Sequence, residues 1–330
     1  MCKVHHLIYN EMLKLIRKKR IWVIALILLV LIPIFTYAQY RTTQQTMERL
    51  GTSDWHALLT QQIIDAQNRL SSNQIPDEWK KWLKLNIEQQ QYYLDHDINP
   101  TAPGAPTFIR KFVEQAVDLF LPLLVVVLAA DIVSSEHSGG TIKLLLTRPV
   151  SRFKILLSKY IALLLGTSLL ILMTAIIGYV ISGMVFGYEG WTMPVLTGFS
   201  QKGSELVTTH VHLLPQWKYD LMAYGLAWFA CSAIGTISFM VSVLVRSTAS
   251  SMGIMLAAVI SGGLLAGLAP SWEALKYLAF TNLSLTDYLS GQPTSVEGMD
   301  LSFSLAVLSV WSLLSLLVAF IAFTRRDILT

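Results

Sequence analysis

Residues 21–40 read IWVIALILLVLIPIFTYAQY and contain no Asp, Glu, Lys, Arg or His. About 20 apolar residues in a helix, at ~1.5 Å per residue, cross the ~30 Å hydrocarbon core of a bilayer. The basic block Arg17-Lys18-Lys19-Arg20 stands directly before this stretch. The pattern therefore predicts a first membrane-spanning helix. A signal peptide cleaved after Thr36-Tyr37-Ala38 is the alternative, but the length of the apolar run favours an uncleaved signal anchor.

Apolar stretches of similar length recur along the chain. Hydrophobic amino acids make up 53% of the 330 residues and charged ones only 14%, whereas an ordinary soluble domain has roughly 25% charged residues. We expect an all-α polytopic membrane protein with six transmembrane helices, at 21–40, 112–133, 157–187, 218–245, 249–270 and 301–324. The second is the least regular, because Glu114 and Asp118 lie near its start. We expect these carboxylates to pair with Arg110 and Lys111; an acidic mouth is the alternative.

Basic residues are concentrated on one side of this topology. Residues 1–20, 131–159, Arg246 and 324–330 hold 14 of the 25 Lys and Arg residues. Because basic residues near helix ends favour the cytoplasmic face, both termini are expected in the cytoplasm. The remaining segments are then a cytoplasmic helix at 1–20, an extracellular insert at 41–108, a cytoplasmic loop at 134–154, an extracellular loop at 188–217, an extracellular or re-entrant segment at 271–300, and a cytoplasmic tail at 325–330.

Two of these segments carry helical patterns. In residues 1–20, Leu7, Ile8, Met12, Leu15 and Ile16 recur near helical spacing beside basic residues. This indicates an N-terminal amphipathic interfacial helix with its basic block at anionic head groups; a plain basic anchor is the alternative. The insert at 41–108 predicts an extracellular helical hairpin between helices 1 and 2. Its aromatic residues either pack or contact a substrate, and packing is favoured; they are Trp79, Trp82, Tyr92 and Tyr93.

The loop between the second and third spans has the most distinctive sequence. Residues 131–159 read DIVSSEHSGGTIKLLLTRPVSRFKILLSK. The pair Gly139-Gly140 provides a flexible exit from one helix, and Thr141 is a capable N-cap for another. A short amphipathic helix is expected over Ile142–Leu146, which Pro149 ends. An ordinary basic loop with a turn is the alternative.

This loop resembles the permease subunit of type-2 ATP-binding-cassette (ABC) transporters. The resemblance rests on EHSGGTIKLLLTRPVSR, with Glu136, Gly140, Thr141, Leu145, Pro149 and Arg152 as the matching residues. It extends to the basic amphipathic start, the six spans, the large first external segment and the terminal pair Arg325-Arg326, although smaller members lack so long an insert. The resemblance implies that these six residues couple the chain to a separate ABC-type ATPase subunit. It further implies a second permease, identical or related, and ATP and Mg²⁺ bound by the partner ATPase, with no cofactor in this chain.

The absence of several motifs argues against some classes of function. No G-x-x-x-x-G-K-[ST] phosphate loop, H-E-x-x-H or G-x-S-x-G occurs, so we expect no enzymatic activity and no catalytic or metal site in this chain. The middles of five spans lack ionisable residues, which favours ATP over an ion gradient as the energy source. We expect an exporter of a lipophilic or peptide-like substrate in the bacterial cytoplasmic membrane, with no nucleic acid partner. A sensory or assembly component that uses the extracellular hairpin to bind a ligand or partner is the alternative, and a secondary carrier comes third.

Overall fold

The computed structural model describes residues 4–52, 54–71, 77–100, 104–141, 150–202, 205–269, 272–292, 296 and 298–325. The helices in this part of the chain are α1 (Val4–Arg17), α2 (Arg20–Leu50), α3 (Trp55–Leu70), α4 (Asp77–Asp95), α5 (Ala105–Ala116), α6 (Phe120–Ala129), α7 (Ser134–Ser138), α8 (Arg152–Phe186), α9 (Gln216–Leu244), α10 (Thr248–Leu268), α11 (Asp287–Ser290) and α12 (Leu301–Arg325). Two 3₁₀ turns, Glu273–Tyr277 and Ala279–Thr281, follow α10.

Six helical stretches in the described residues are long and apolar enough to cross a bilayer. They are Arg20–Arg49, Phe120–Ser138, Arg152–Phe186, Gln216–Leu244, Thr248–Leu268 and Leu301–Arg325. The prediction of a polytopic α-helical membrane protein is thereby confirmed. The expected short helix over Ile142–Leu146 lies outside the described residues.

The first span is longer than the apolar sequence alone indicates. Helix α2 has 31 residues, which is about 46 Å at ~1.5 Å per residue and exceeds the ~30 Å hydrocarbon core. Its last ten residues, 41–50, are mostly polar. The helix therefore continues past the expected boundary at residue 40 into the insert.

The second span differs from the expected single helix over 112–133. The chain forms α5, leaves helical geometry at Leu119 (φ −138°, ψ −52°), and resumes as α6 at Phe120. Pro122 is the physical reason: its ring tolerates the first turn of a helix but would clash with the carbonyl of Asp118 in a continuous one. The interruption leaves α5 as a separate amphipathic helix, almost entirely buried against α8 and α9.

Helix α9 lies at the centre of the bundle, in contact with α5, α6, α8 and α12. Its buried face includes Ala223, Ala227 and Ala230, and such small residues let membrane helices approach closely. Helices α2, α10 and α12 lie at the periphery, with large apolar side chains such as Leu26, Leu264 and Leu317 exposed. In a bilayer these outer faces contact lipid or another membrane protein.

The segment at 188–217 contains the strands of the described chain. Strand β1 (Pro194–Thr197) pairs antiparallel with β4 (His212–Pro215), and β2 (Ser200–Lys202) pairs antiparallel with β3 (Glu205–Val207). A small core joins this segment to α3 and α4; its members are Leu59, Tyr93, Ile98, Leu196 and Phe199. We call this end of the bundle the α3 end, and the end that carries α1, α7 and the start of α8 the α1 end.

Candidate functional site

Four charged side chains meet at the α1 end; we call Glu11, Lys14, Glu136 and Lys159 the charged quartet. Lys159, in the second turn of α8, is completely buried. Its Nζ lies 2.7 Å from Oε1 of Glu136 and 2.9 Å from Oε2 of Glu11. It also donates to the carbonyl of Ile132 at 3.3 Å. All three ammonium hydrogens thus have an acceptor.

The second lysine of the quartet contacts the same two carboxylates. Nζ of Lys14 lies 2.7 Å from Oε1 of Glu11 and 2.9 Å from Oε1 of Glu136. Because Glu11 and Lys14 are three residues apart in α1, they lie on one face of the helix. Burial lowers the pKa of Lys14, but the carboxylates of Glu11 and Glu136 raise it by more, so the net direction is upward. The quartet has no net charge, and its ion pairs offset the cost of burying Lys159.

A second ion-pair group lies beside the quartet. The guanidinium of Arg20, at the start of α2, contacts the carboxylate of Asp131 and donates to the carbonyl of Val127 at 2.7 Å. Nζ of Lys18 lies 3.5 Å from Asp131 and donates to Oγ of Ser135 at 2.8 Å. The basic block before the first span is therefore bound to the end of the second span.

The backbone between α6 and α7 is held by the central helix. The amide groups of Val133 and Ser134 both donate to the buried hydroxyl of Ser242, in α9, at 3.1 and 3.0 Å. The hydroxyl of Ser134 donates to the carbonyl of Ala130 at 2.7 Å. These bonds satisfy backbone groups that the helix break would otherwise leave unpaired.

The described residues that match the ABC permease pattern lie in different surroundings. Glu136 is in the quartet, and Arg152 donates to the carbonyl of Thr324, near the end of α12, at 3.1 Å. Gly140 has a left-handed backbone (φ +68°), a conformation that favours glycine. The hydroxyl of Thr141 lies at 3.5 Å from the carbonyl of Glu136. Leu145 and Pro149 lie outside the described residues, so the structure does not bring all six together.

Sequence reasoning missed three members of the quartet: Glu11, Lys14 and Lys159. The sequence did carry a weak signal for two of them, in the form of isolated charged residues. Glu11 is the single acidic residue in the basic segment 1–20, and Lys159 borders the uncharged run of the third span. Only the docking of α1 on α8 makes the two residues neighbours.

At the α3 end of the described chain, Glu114 does not form the expected ion pair with Arg110 or Lys111. The hydroxyl of Tyr219 donates to Oε1 of Glu114 at 2.6 Å. Arg110 lies over the Tyr219 ring, 5.5 Å from its centre, and donates to the carbonyl of Pro100 at 3.3 Å. Among the described residues, neither Arg110 nor Lys111 forms an ion pair with Glu114, which accepts its hydrogen bond from Tyr219. Tyr219 therefore takes the place of the basic partner expected for Glu114.

The aromatic residues of the insert have mixed surroundings. Tyr93 is buried in the small core, and Tyr92 packs against it. The side chains of Trp79 and Trp82 lie outside the described part of the chain.

His56, at the start of α3, lies 3.1 Å from Asp54 and 2.9 Å from Asp97, which follows α4. Within the described residues no three His, Cys, Asp or Glu side chains are grouped to hold a metal ion.

Comparison with known proteins assigns a family. Residues 83–329 match the family described as "Protein of unknown function (DUF2705)". The chain belongs to the DUF2705 family. This DUF2705 member is 30% identical to the uncharacterized protein YhcI of Bacillus subtilis (strain 168) over 328 residues, 98% of this chain and 99% of YhcI. It is 26% identical to the uncharacterized membrane protein YdbK of the same strain over 215 residues, 64% of this chain and 80% of YdbK.

The range of the DUF2705 match bears on the candidate site. It includes Glu136, Arg152 and Lys159 but begins after Glu11 and Lys14. The similarity to YhcI covers nearly the whole chain, α1 included. The quartet thus joins the matched part of the chain to its N-terminal helix.

Proposed function

We propose that this DUF2705 protein is the membrane-spanning permease subunit of an ABC transporter, powered by a separate ATPase subunit. The observation that carries the proposal is the anchoring of both flanks of segment 142–149. Glu136 precedes the segment and is bonded to α1 and α8. Arg152 follows it and is bonded to the end of α12. A push on a segment held in this way moves the membrane helices rather than being absorbed by loose loop ends.

In this proposal two permeases pair, as identical or related chains, and two ATPase subunits dock at the α1 end. ATP and Mg²⁺ bind in the ATPases, and this chain supplies no catalytic residue. Both termini face the cytoplasm of a bacterial cell, because the basic residues cluster at the α1 end. Helix α1 is interfacial, α3 and α4 form an extracellular hairpin, and residues Glu136 to Arg152 couple ATP-driven closure to the spans.

The proposed cargo is a lipophilic or peptide-like molecule that is exported. The exposed faces of α2, α10 and α12 are apolar, so a route between two permeases lined by such faces suits a lipophilic molecule better than an ion. The uncharged middles of five spans likewise favour ATP as the energy source over ion coupling.

The test is recovery of the partner. The tagged full-length chain is isolated from its native membrane in a gentle detergent, and the co-purifying proteins are identified by mass spectrometry. We expect an ATPase with Walker motifs in near-equal amount. ATP depletion should also stop export, whereas an uncoupler that leaves ATP intact should not. Recovery of membrane or sensory proteins without any ATPase would contradict the proposal.

A second candidate function is a membrane-bound sensory or assembly component. The observation in its favour is the small core at the α3 end, because a folded unit outside the spans can bind a ligand or partner without transport. A signalling kinase recovered with the chain, and no ATPase, would support it.

A further inference from the structure

A cleft separates α1 from the start of α8 at the α1 end. Its volume is about 290 Å³, whereas one ordered water needs roughly 10–15 Å³ on this measure. Asn10, Lys14 and Arg17 of α1 line it together with Ser158 of α8, and Leu13 and Ile155 supply its apolar wall. The neighbouring cavity beside the quartet measures only about 20 Å³ and has room for a single water. The large cleft shares Glu11 and Lys14 with this cavity, and the rest of its lining is mixed polar and apolar.

Among the described residues, two polar side chains of the cleft are free, and one of them is a cation. In the part of the chain that the structure describes, the side chains of Asn10 and Arg17 have no hydrogen-bond or ion-pair partner. Glu11 also lines the cleft, but Lys14 and Lys159 contact both of its oxygens. The available charge is therefore positive, and it comes from a guanidinium, which suits phosphate geometry.

The position of the cleft relative to the spans indicates what the donors meet. Helix α1 ends at Arg17, and the first span begins at Arg20. The opposite wall lies in the first two turns of α8, just before the uncharged run that starts at Tyr160. With the two apolar runs in the hydrocarbon core, the cleft is placed at the level of the lipid head groups. The positive end of the α8 dipole adds to the attraction for an anion.

We propose that this cleft binds the head group of one anionic phospholipid. The phosphate contacts Arg17 and Asn10, with Lys14 nearby, and the glycerol backbone and first acyl carbons lie against Leu13 and Ile155. A free phosphate ion uses the donors but leaves the apolar wall uncovered, whereas a phospholipid covers both. The site is distinct from diffuse attraction of the basic block to an anionic surface, and it does not depend on the proposed transport function.

The test counts bound lipids on the purified full-length chain. The detergent-solubilised protein is incubated with phosphatidylglycerol or phosphatidylcholine, and retained lipid is measured by native mass spectrometry. We expect one strongly retained phosphatidylglycerol and no such retention of phosphatidylcholine. Arg17→Gln should lower the affinity about tenfold, because it removes charge-assisted hydrogen bonds to the phosphate. Asn10→Asp, which adds a negative charge to the cleft, should lower it as well.

Arg246→Gln is the matched control, because Arg246 is also an exposed arginine at the end of a span. It should leave phosphatidylglycerol retention unchanged. An equal loss in Arg17→Gln and Arg246→Gln would show diffuse attraction and overturn the proposal. Displacement of the lipid by millimolar inorganic phosphate would assign the cleft to free anions instead. Unchanged lipid retention in Arg17→Gln, together with loss of a co-purifying ATPase, would assign it to a protein partner.

Discussion

Nζ of Lys159 lies 2.7 Å from Oε1 of Glu136, so a buried ion pair joins the residues on either side of segment 142–149. Glu11 and Lys14 add helix α1 to this junction. Ion pairs therefore connect three elements that are distant in the sequence: the N-terminal helix, the end of the second span and the start of the third.

Removing the buried cation should destabilise the α1 end. In Lys159→Met, Glu11 and Glu136 lose their buried partner, and we expect a loss of about 3–5 kcal/mol in the free energy of unfolding. Lys14→Met is the control: its side chain is 43% exposed, so the loss should be much smaller. Unfolding of the purified chain by a denaturing detergent measures both. Adding Glu136→Gln to Lys159→Met should restore part of the loss, and equal losses in the two lysine variants would contradict the buried role of Lys159.

Coupling should depend on the backbone at Gly140. Proline there requires φ near −65°, whereas Gly140 has φ +68°, so Gly140→Pro should abolish export and ATPase recovery while the protein still inserts. Gly140→Asn is the control, because Asn tolerates the left-handed region, and it should retain most activity. Leu145→Asp should resemble Gly140→Pro. Normal export by Gly140→Pro and Leu145→Asp would refute the coupling role of this segment.

The contact between α3 and the end of α4 should weaken as the pH rises. The hydrogen bond to Asp54 is the main reason that the pKa of His56 lies above its usual 6.5; desolvation opposes this shift, and the hydrogen bond to Asp97 adds to it. Since the folded-state pKa is raised, the stabilisation is fully present below pH 6.5 and is lost as the pH passes the folded-state value. Hydrogen exchange at the start of α3, compared with His56→Gln at each pH, should show extra protection at pH 6 that declines as the pH rises above 6.5. Equal protection of the two proteins at pH 6 would contradict this.

Two glycines of α10 should respond oppositely to alanine. A Cβ atom at Gly262 would overlap the Cβ atom of Phe280 and lie 3.3 Å from its Cα, so Gly262→Ala should destabilise the protein by about 1–3 kcal/mol. A Cβ atom at Gly253 meets nothing within 4 Å. Gly253→Ala should therefore be neutral or stabilise by up to ~1 kcal/mol. Thermal unfolding of the two variants measures the difference, and a more stable Gly262→Ala would contradict the packing of α10 on the 3₁₀ turn.

The helical membrane architecture could be predicted from the sequence because each span is a local property. The uncharged run at 21–40 is long enough to cross a bilayer whatever the rest of the chain does. The interruption of the second span was harder to predict. Pro122 lies in an apolar run where membrane helices tolerate proline, and only the packing of α5 on α8 and α9 provides a place for the chain after it breaks.

The candidate site was predicted only in part. Glu136 and Arg152 were identified through a resemblance, but their bonding partners were not. Lys159 is 148 residues from Glu11 and 23 from Glu136, and no local pattern relates residues at such distances. The partner of Glu114 shows the same limit, because Tyr219 lies 105 residues away.

The sequence by itself determined that the chain has six apolar spans and where the basic residues lie. Length, hydropathy and charge near helix ends act locally, and the low polarity of the bilayer makes them decisive. The tertiary structure alone decided which charges meet, how α1 docks on α8, and what lies in the cleft between them. A buried ion pair is stable only when both partners are held at bonding distance, and the packing of distant helices sets that distance.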